Sequence, residues 1–431
     1  MEPTLRHGAT HVPVRTIAVE VEAGPDVGLR ATGDELAIGT ADGSALRLTD
    51  PAVSRFHVVL APAPGGIAVV DHGSTNGTFV GGVRLARGIV PPNTVLRVGD
   101  THLRVRDAAP VEVEILAEES LAGVIGRSPV MRRLMAQVER AAQSDVSVLV
   151  NGESGTGKEL VARALHDLGP RRGGPFVIVD CGSLPPTLVA SELFGHERGA
   201  FTGADRAHVG AFEAAAGGTL FLDEIGELQP GVQATLLGVL ERRKVRRLGS
   251  RAEVPVDVRV VAATHRDLRA AVNRAEFRLD LFYRLAVVTV ALPPLRERPD
   301  DIPLLVEHFL RDAGWDQPVA ALISPQAMDA LARHHFAGNV RELRNLVEAA
   351  VAMGEPPQLA GAGPPPSPAD SSFTADLALP YKDARAQLLA QFEARYVEAL
   401  VARAGGNVSA AARLGQLTRS HLNELLQKLR R

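Results

Sequence analysis

The sequence predicts a multidomain chain: an all-β sandwich, a central α/β domain with a helical subdomain, and an all-α segment at the end. Three observations support this order. Short alternating strands separated by turn residues occupy residues 16–108. Apolar strands then alternate with helical segments over 121–292, and helical patterns alone follow over 293–353. After a proline-rich interval, residues 381–431 again show only helical patterns.

The overall composition is that of an ordinary globular protein, with 45% hydrophobic and 23% charged residues among 431. The net charge of −3 offers no general attraction to nucleic acid, so any DNA contact must come from a local basic region. The single cysteine, Cys181, excludes an intramolecular disulfide. No stretch resembles a signal sequence or a membrane span, so we expect a cytoplasmic protein without a membrane partner.

The sandwich begins with a half-buried strand, because apolar and polar residues alternate over Ile17–Glu22. Further short strands are predicted at Ala45–Leu48, His57–Leu60, Ile67–Val70, Thr94–Val98 and His102–Val105. Turns rich in glycine and proline separate them, as in a sandwich of two sheets. We therefore predict a flexible N-terminus over 1–15, the sandwich over 16–108 and a linker over 109–120.

The central domain contains a continuous apolar strand, Val146–Val150, and a helix that begins at Lys158. More apolar strands are predicted at Phe176–Val179, Thr219–Leu222 and Val258–Ala262. Such strands alternating with helices are typical of a parallel sheet that is covered on both faces. The α/β domain is expected over 121–292 and its helical subdomain over 293–353.

The end of the chain differs in composition from the rest. Prolines crowd the segment 354–380, which predicts a semi-rigid linker. The last segment, 381–431, contains nine Lys or Arg and four Asp or Glu, a net charge of +5. The basic charge of the chain is therefore concentrated in this last segment.

A phosphate-binding loop joins the first apolar strand of the central domain to the following helix. The spacing of Gly152 to Gly157 and Lys158 matches the strand–loop–helix motif that cradles nucleotide phosphates. Its backbone amides would bind phosphate oxygens and Lys158 would reach the β- and γ-phosphates. The predicted ATP site comprises Gly152, Glu153, Ser154, Gly155, Thr156, Gly157, Lys158 and Glu159.

A second acidic strand completes this site. The usual hydroxyl residue after the lysine is replaced by Glu159, so another group must contact Mg²⁺. The strand Thr219–Leu222 ends in Asp223 and Glu224. Asp223 is placed to hold Mg²⁺ directly or through water, and Glu224 to orient or deprotonate an attacking water.

Read together, these residues resemble the sigma-54-dependent activators, a branch of the AAA+ ATPases, almost continuously from Gly123 to Ala350. Glutamate after the lysine is the usual form in that family. The most specific segment is Glu192–Ala204, whose end is the signature loop that contacts the sigma factor. The predicted contact loop comprises Gly199, Ala200, Phe201, Thr202, Gly203 and Ala204.

The resemblance assigns further roles around the nucleotide. Thr264 is a sensor near the γ-phosphate, and Arg341 is a second sensor on the nucleotide. Arg278 and Arg284 are arginine fingers that reach the ATP of a neighbouring subunit, which implies a homo-oligomer from dimer to hexameric ring. Either arginine could instead be an ordinary ion-pair residue at an interface.

Three positions depart from that family's pattern. Phe336 and Ala337 stand where Trp-Pro is usual, and His265 is a common variant of an Asn position. Asp180 occupies a position often filled by an Asn that pairs with the catalytic glutamate. An ionised Asp180 near Glu224 would repel it, so coupling of hydrolysis to the sigma contact is expected to differ here.

The first domain resembles a forkhead-associated (FHA) domain, the phosphothreonine-binding module. The matching segments are Ile38-Gly39, Ser54-Arg55-Phe56-His57 and Ser74-Thr75-Asn76-Gly77-Thr78. The resemblance implies that Ser54, Arg55 and Asn76 bind a phosphopeptide. Because Thr40 stands where an arginine is common, two readings remain open: phosphopeptide binding, or a fold kept for contacts within or between subunits.

The C-terminus resembles a Fis-type helix-turn-helix. Gly415 supplies the turn, and a second helix begins at Thr418. Such modules dimerise, so the expected enhancer DNA site is two-fold symmetric. The residues expected on the recognition helix are Thr418, Arg419, Ser420, His421 and Asn423.

The sequence thus predicts an ATP- and Mg²⁺-dependent activator that remodels sigma-54 RNA polymerase from enhancer DNA. A phosphothreonine protein or a Ser/Thr kinase is the expected signalling partner. The alternative is a DNA-bound phospho-signalling adaptor whose ATPase only switches the oligomeric state. The intact loop Gly199–Ala204 argues against that alternative, since an adaptor has no need of a sigma contact.

Overall fold

The computed structural model describes residues 9–357 and residue 359. They form a β-sandwich followed by an α/β domain with a helical subdomain, in the order that the sequence predicts. The predicted DNA-binding helix and most of the predicted linker 354–380 lie outside the described residues. In the part that is described, no helix combines the length and the apolar character needed to cross a membrane.

The sandwich consists of two sheets. Its strands are β1 (Ala9–Ala23), β2 (Arg30–Gly33), β3 (Leu36–Gly39), β4 (Leu46–Arg47), β5 (Val58–Ala63), β6 (Gly66–Asp71), β7 (Thr78–Val80), β8 (Val83–Arg84), β9 (Arg87–Val90), β10 (Val95–Val98) and β11 (Thr101–Leu116). One sheet has the order β2-β1-β11-β10-β7-β8 and the other β4-β3-β5-β6-β9. Inward-facing aliphatic residues such as Ile17, Leu60 and Leu103 fill the space between them.

The two longest strands correct the predicted ends of this domain. Residues 9–15, predicted as part of a flexible N-terminus, lie in β1, and residues 109–116, predicted as linker, lie in β11. The two segments pair antiparallel, from Ala9 opposite Leu116 onward. Most side chains of residues 106–114 are exposed, so the ribbon lacks the buried face that makes a strand recognisable.

The α/β domain is built around a parallel sheet of five strands in the order β15-β16-β19-β14-β20, defined below. The strands of this domain are β12 (Ser120–Leu121), β13 (Val124–Ile125), β14 (Val148–Asn151), β15 (Phe176–Asp180), β16 (Thr219–Asp223), β17 (Lys244–Val245), β18 (Val254–Pro255), β19 (Arg259–Thr264) and β20 (Val288–Ala291). Its helices are α1 (Pro129–Ala142), α2 (Lys158–Asp167), α3 (Pro186–Phe194), α4 (Ala211–Ala214), α5 (Pro230–Arg242), α6 (Leu268–Asn273) and α7 (Leu279–Leu285). Because the strands are parallel, Asn151, Asp180, Asp223 and Thr264 end four of them along one edge, where open α/β sheets bind ligands.

The helical subdomain contains α8 (Ile302–Asp312), α9 (Pro325–Arg333) and α10 (Asn339–Met353). Pro303 and Pro325 lie in the first turns of α8 and α9, where the missing N–H costs nothing. The Ser324 hydroxyl caps α9 by accepting a bond from the Ala327 amide. Helix α10 begins beside the phosphate loop, so this subdomain lies against the candidate nucleotide site.

A buried arginine at the start of the middle strand of the parallel sheet binds the ends of two helices. Arg259 begins β19 and is only 2% exposed. Its guanidinium donates to the carbonyls of Ala141, Ala142 and Leu165 at 2.8, 3.2 and 3.0 Å. These carbonyls lie in the last turns of α1 and α2, which leave backbone acceptors without helical partners. Arg259 therefore caps both helices at once.

Candidate active site

The phosphate loop lies between β14 and α2, at the carboxyl edge of the parallel sheet. Two of its glycines have left-handed backbone conformations: φ is 77° at Gly155 and 107° at Gly157. A Cβ atom at Gly155 would lie 2.3 Å from the Gly338 carbonyl oxygen, so only glycine fits there. The loop is thus shaped as the sequence motif predicts, with the helical subdomain directly against it.

The Lys158 ammonium lies inside this loop. The side chain is buried, and Nζ donates to the carbonyls of Gly152 at 3.1 Å and Glu153 at 3.4 Å. It also lies 3.3 Å from Oε1 of Glu224. A buried cation held only by carbonyls and one carboxylate can turn to a phosphate oxygen when a nucleotide enters.

Asp223 ends β16 beside the lysine. Burial raises the pKa of its carboxyl, and the nearby Glu224 and Asp180 carboxylates add to that effect. The described residues contain no group of three or more His, Cys, Asp or Glu side chains arranged to hold a metal ion. The single carboxylate fits Mg²⁺ as it is usually bound in nucleotide sites, through one protein oxygen, water and the phosphates.

Glu224 is held by the segment that follows β19. Its Oε2 accepts bonds from the His265 amide at 3.1 Å and contacts His265 Nδ1 at 2.7 Å, while the Thr264 hydroxyl lies 3.5 Å away. Burial opposes ionisation, but the His265 bonds and the Lys158 charge outweigh it and lower the pKa of Glu224. Glu224 is therefore an ionised carboxylate, as a water-orienting base requires.

His265, a common variant of an Asn position, makes a side-chain contact with Glu224 that the sequence did not predict. The sequence predicted that an ionised Asp180 would repel Glu224. In the sheet, Asp180 lies opposite Asp223. Instead, the Asp180 carboxylate accepts bonds from the amides of Gly182 and Ser183 at 2.9 and 3.2 Å. Asp180 thus acts on the pKa of Asp223, whereas the side-chain hydrogen bond to Glu224 comes from His265.

The helical subdomain contacts the phosphate loop through α10 and the segment before α8. Arg341 donates from Nη1 to the Ser154 hydroxyl at 3.2 Å, and its amide bonds the Gly155 carbonyl at 3.2 Å. The Asn339 amide group donates to Glu153 Oε2 at 3.1 Å. Arg296 binds both Glu153 oxygens at 2.6 and 2.8 Å. Sequence reasoning assigned Arg341 here but missed Asn339 and Arg296.

Glu153 is the acceptor that joins loop and subdomain. The Arg296 hydrogen bonds, followed by the Asn339 bond, lower the pKa of Glu153 to about 2. The carboxylate is thus ionised at any physiological pH. The ion pair of Glu153 with Arg296 persists as long as the helical subdomain stays against the loop. Glu159, by contrast, is exposed in the first turn of α2, where its charge suits the positive end of the helix.

The two predicted arginine fingers lie at α7. Arg278 stands just before the helix and forms an ion pair with Asp280 at 2.6 Å. Arg284 lies in the last turn and donates to the Leu240 carbonyl at 3.0 Å. Arg284 also lines a cavity of about 340 Å³ formed by the ends of α5 and α7 and the strand β19. Among the hydrogen bonds of the described residues, neither arginine contacts the phosphate loop of its own chain.

The predicted sigma-contact loop projects between α3 and α4. Gly199 and Gly203 have φ values of 81° and 98°, and the Gly199 amide bonds the Ala204 carbonyl at 2.8 Å across the loop. Thr202 is exposed at the tip. The ring of Phe201 packs edge-on against His196, with centroids 4.9 Å apart. The loop therefore exposes the Thr202 hydroxyl, whereas the Phe201 side chain is partly buried against His196.

The predicted phosphopeptide residues lie on loops at one end of the sandwich. The Ser54 hydroxyl accepts a bond from the Thr75 amide at 3.0 Å, Asn76 donates to the Ala52 carbonyl at 2.8 Å, and Arg55 is exposed. His57 is fully buried, and its two ring nitrogens contact the Ser54 amide and the Gly77 carbonyl. Burial lowers the pKa of His57, so it is a neutral brace that joins the two loops.

Comparisons with known proteins match these regions. Residues 124–291 match the family model of the sigma-54 interaction domain, 296–362 that of an AAA+ ATPase lid domain, and 36–101 that of the FHA domain. The transcriptional regulatory protein GlrR of Escherichia coli K12 is 46% identical over 307 residues, which cover 71% of this chain and 67% of that protein.

Two further relatives are similar over a comparable share of the chain. The transcriptional regulatory protein ZraR of Klebsiella oxytoca is 47% identical over 317 residues, 72% of this chain and 69% of that protein. The crystal structure of NtrX from Brucella abortus in complex with ATP is 36% identical and has a TM-score of 0.51. That similarity covers 70% of this chain and 69% of NtrX.

Proposed function

The chain belongs to the family of sigma-54-interacting AAA+ transcriptional regulators, and from that premise we propose that it is an ATP-driven transcription activator. ATP hydrolysis by an oligomer of this chain moves the loop Gly199–Ala204 against sigma-54 and opens the promoter. The observation that carries the proposal is the combination of that loop with a nucleotide site in which Lys158, Asp223 and Glu224 converge.

The chemistry follows from the positions of these side chains. Lys158 binds the β- and γ-phosphates, and Glu224 orients a water and accepts its proton. Asp223 is the residue that would hold Mg²⁺, and the ion would supply positive charge to the phosphates. Arg278 and Arg284 of a neighbouring subunit stabilise the charge that develops on the transferred phosphoryl group, which makes turnover depend on assembly.

Two further parts of the proposal concern the regulatory signal and the DNA site. The FHA domain recognises a phosphothreonine on a partner or on this chain through Ser54, Arg55 and Asn76. The C-terminal residues Thr418 and Arg419, with Ser420, His421 and Asn423, read enhancer DNA as a two-fold symmetric dimer. The net charge of +5 over 381–431 supports this second part.

The deciding experiment measures open-complex formation on a sigma-54 promoter with purified chain, polymerase and ATP. Thr202→Ala should keep ATP hydrolysis but lose opening, because only the exposed loop tip is changed. Asp205→Ala is the matched control: Asp205 is exposed just outside the loop, and no side-chain hydrogen bond involving it is found among the described residues. Opening by Thr202→Ala at the wild-type rate would disprove the role of the loop.

A second variant tests the site itself. Lys158→Ala should abolish ATP hydrolysis, and persistence of normal hydrolysis would overturn the assignment of the phosphate loop. If the wild type hydrolyses ATP but opens no promoter even with a phosphothreonine peptide present, the adaptor function is favoured instead. The intact loop Gly199–Ala204 argues against the adaptor, because an adaptor has no need of a sigma contact. Gly199 and Gly203 in this loop have φ values of 81° and 98°.

A further inference from the structure

A surface rich in arginine surrounds the base of the proposed sigma-contact loop. The loop Gly199–Ala204 lies beside the hairpin of β17 and β18, and the segment 242–251 of this hairpin contains six basic residues and no acidic one. Arg198 immediately precedes the loop, and Arg206 follows it by two residues. Two segments that are far apart in the chain therefore contribute positive charge to this surface.

The hairpin contacts the base of the loop directly. The Glu197 amide donates to the Leu248 carbonyl at 3.0 Å. A Cβ atom at Gly249 would lie 3.0 Å from Cβ of Ala200, which belongs to the loop itself. The arginines on either side of this contact are therefore close to the loop.

One arginine of the hairpin neutralises two acidic residues at this contact. Arg247 donates to the two carboxylate oxygens of Glu213 at 2.7 and 2.8 Å, and to Glu197 at 3.2 Å. The hydrogen bonds from Arg247 lower the pKa of the Glu213 carboxyl, so that it is ionised and its charge is balanced. These two carboxylates are thus occupied by Arg247 and do not bind the other arginines of the surface.

Four other arginines on this surface are free to bind a ligand. All four are exposed, and none forms an ion pair or a side-chain hydrogen bond with another residue in the part of the chain that the structure describes. This arginine cluster consists of Arg198, Arg206, Arg246 and Arg251. An exposed guanidinium without a carboxylate partner keeps its planar set of donors available for an anion such as phosphate.

Duplex DNA fits this surface better than a protein partner does. The centre of a protein–protein interface is rich in aromatic and other apolar side chains. Within residues 195–208 and 242–253, no large apolar side chain is exposed. Duplex DNA carries one negative charge per about 1.7 Å of its length, so it can engage arginines that are spread over several segments. A promoter duplex is also what the proposed function brings to this loop.

We propose that the arginine cluster binds the phosphate backbone of promoter DNA, while the loop Gly199–Ala204 contacts the sigma factor bound to that DNA. The inference rests on the proposed function, since it concerns the surroundings of the same loop. It adds a second DNA contact to that of the C-terminal segment, and this contact is independent of base sequence because phosphates carry no sequence information. Promoter opening therefore depends on salt concentration more steeply than ATP hydrolysis does.

The position of the DNA is tested by photocrosslinking of the full chain. Ala252, which is exposed beside Arg251, is replaced by a photoreactive benzoylphenylalanine. In the control the same group replaces Gly173, which is exposed elsewhere in the domain and has open space for a side chain. The probe is a sigma-54 promoter duplex without an enhancer, used alone and in complex with sigma-54 RNA polymerase. Position 252 should crosslink to the DNA in both cases, several-fold more than position 173.

Charge removal tests the energetic role of the cluster. Arg246→Gln/Arg251→Gln removes two charges and should lower the rate of open-complex formation about tenfold at a fixed, low concentration of chain. The slope of log rate against log salt concentration should become shallower by about 2, since each phosphate contact contributes about 0.9. ATP hydrolysis should stay at the wild-type rate, because neither side chain has a partner among the described residues. Arg172→Gln/Arg333→Gln removes two other exposed arginines and is the matched control, which should change neither quantity.

Several outcomes would overturn the proposal. Crosslinks from position 252 to the sigma factor or the polymerase in place of DNA would show that the surface binds protein. An unchanged salt slope in Arg246→Gln/Arg251→Gln, or an equal change in the control variant, would exclude the phosphate contact. Equal losses of opening and of ATP hydrolysis would show that the arginines support the ATPase and not the DNA contact. Failure of the proposed function is seen separately: the wild type would then open no promoter, whereas crosslinking to the duplex alone would still report the DNA contact.

Discussion

Replacing Arg259 by alanine should unfold the α/β domain at a markedly lower temperature. The guanidinium is buried and makes three charge-assisted hydrogen bonds to the ends of α1 and α2. Hydrogen bonds to charged groups contribute about 1.5–3 kcal/mol each, and an acceptor left unpaired costs about 1–3 kcal/mol. The three contributions overlap, and loss of the arginine also removes the cost of burying its charge.

We therefore expect a net loss of about 4 kcal/mol in the free energy of unfolding for Arg259→Ala. For a domain of about 150–250 residues, each kcal/mol lowers the melting temperature by about 2–4 °C. The predicted fall is thus about 8–16 °C, measured by circular dichroism or by thermal inactivation of ATP hydrolysis. Because β19 ends at Thr264, the predicted sensor of the nucleotide site, inactivation and unfolding should coincide.

Two comparison variants make the prediction decisive. Arg172→Ala removes an exposed arginine from the same domain and should change stability by less than about 0.5 kcal/mol. Arg259→Met keeps most of the volume but none of the donors, so it should lose nearly as much as alanine. If Arg259→Ala and Arg172→Ala have the same melting temperature, the capping argument is wrong. If Arg259→Met has the melting temperature of wild type while that of Arg259→Ala is lower, the cavity left by alanine causes the loss of stability, and the lost hydrogen bonds do not.

Three other predictions concern single side chains of the active-site region. Glu224→Gln should slow ATP hydrolysis by about 10²–10⁴-fold while a fluorescent nucleotide still binds, and an equal loss of binding would contradict its role as base. Burial raises the pKa of Cys181 to about 12, so its thiol should resist a disulfide reagent in the native chain and react after unfolding; rapid native labelling would contradict this. Arg296 lowers the pKa of Glu153 from 4.5 to about 2, so that pair stabilises the fold above pH 4.5 and loses its effect as pH falls towards 2. The difference in melting temperature between Glu153→Gln and wild type should therefore shrink over that range, and a constant difference would refute the assignment.

The local elements and the loops with special backbone conformations were predictable from sequence. Apolar runs indicated β14, β16 and β19 because a strand that is buried on both faces needs no polar positions. The phosphate loop was predictable because its glycines are required by left-handed conformations that few other residues adopt. Exposed segments are harder to predict: residues 109–116 form a strand only because β11 pairs with β1, whereas their sequence predicts a linker.

The strands, helices and signature loops could be predicted from the sequence, since they depend on residues that are close together in the chain. The partners of several polar side chains depend on the tertiary structure: His265 for Glu224, Arg296 for Glu153, and the sandwich for Asn273. The last two pairs are 143 and 217 residues apart. No local pattern specifies such a pair, because each depends on which chain ends and loops the parallel sheet and the packed domains bring within hydrogen-bonding distance.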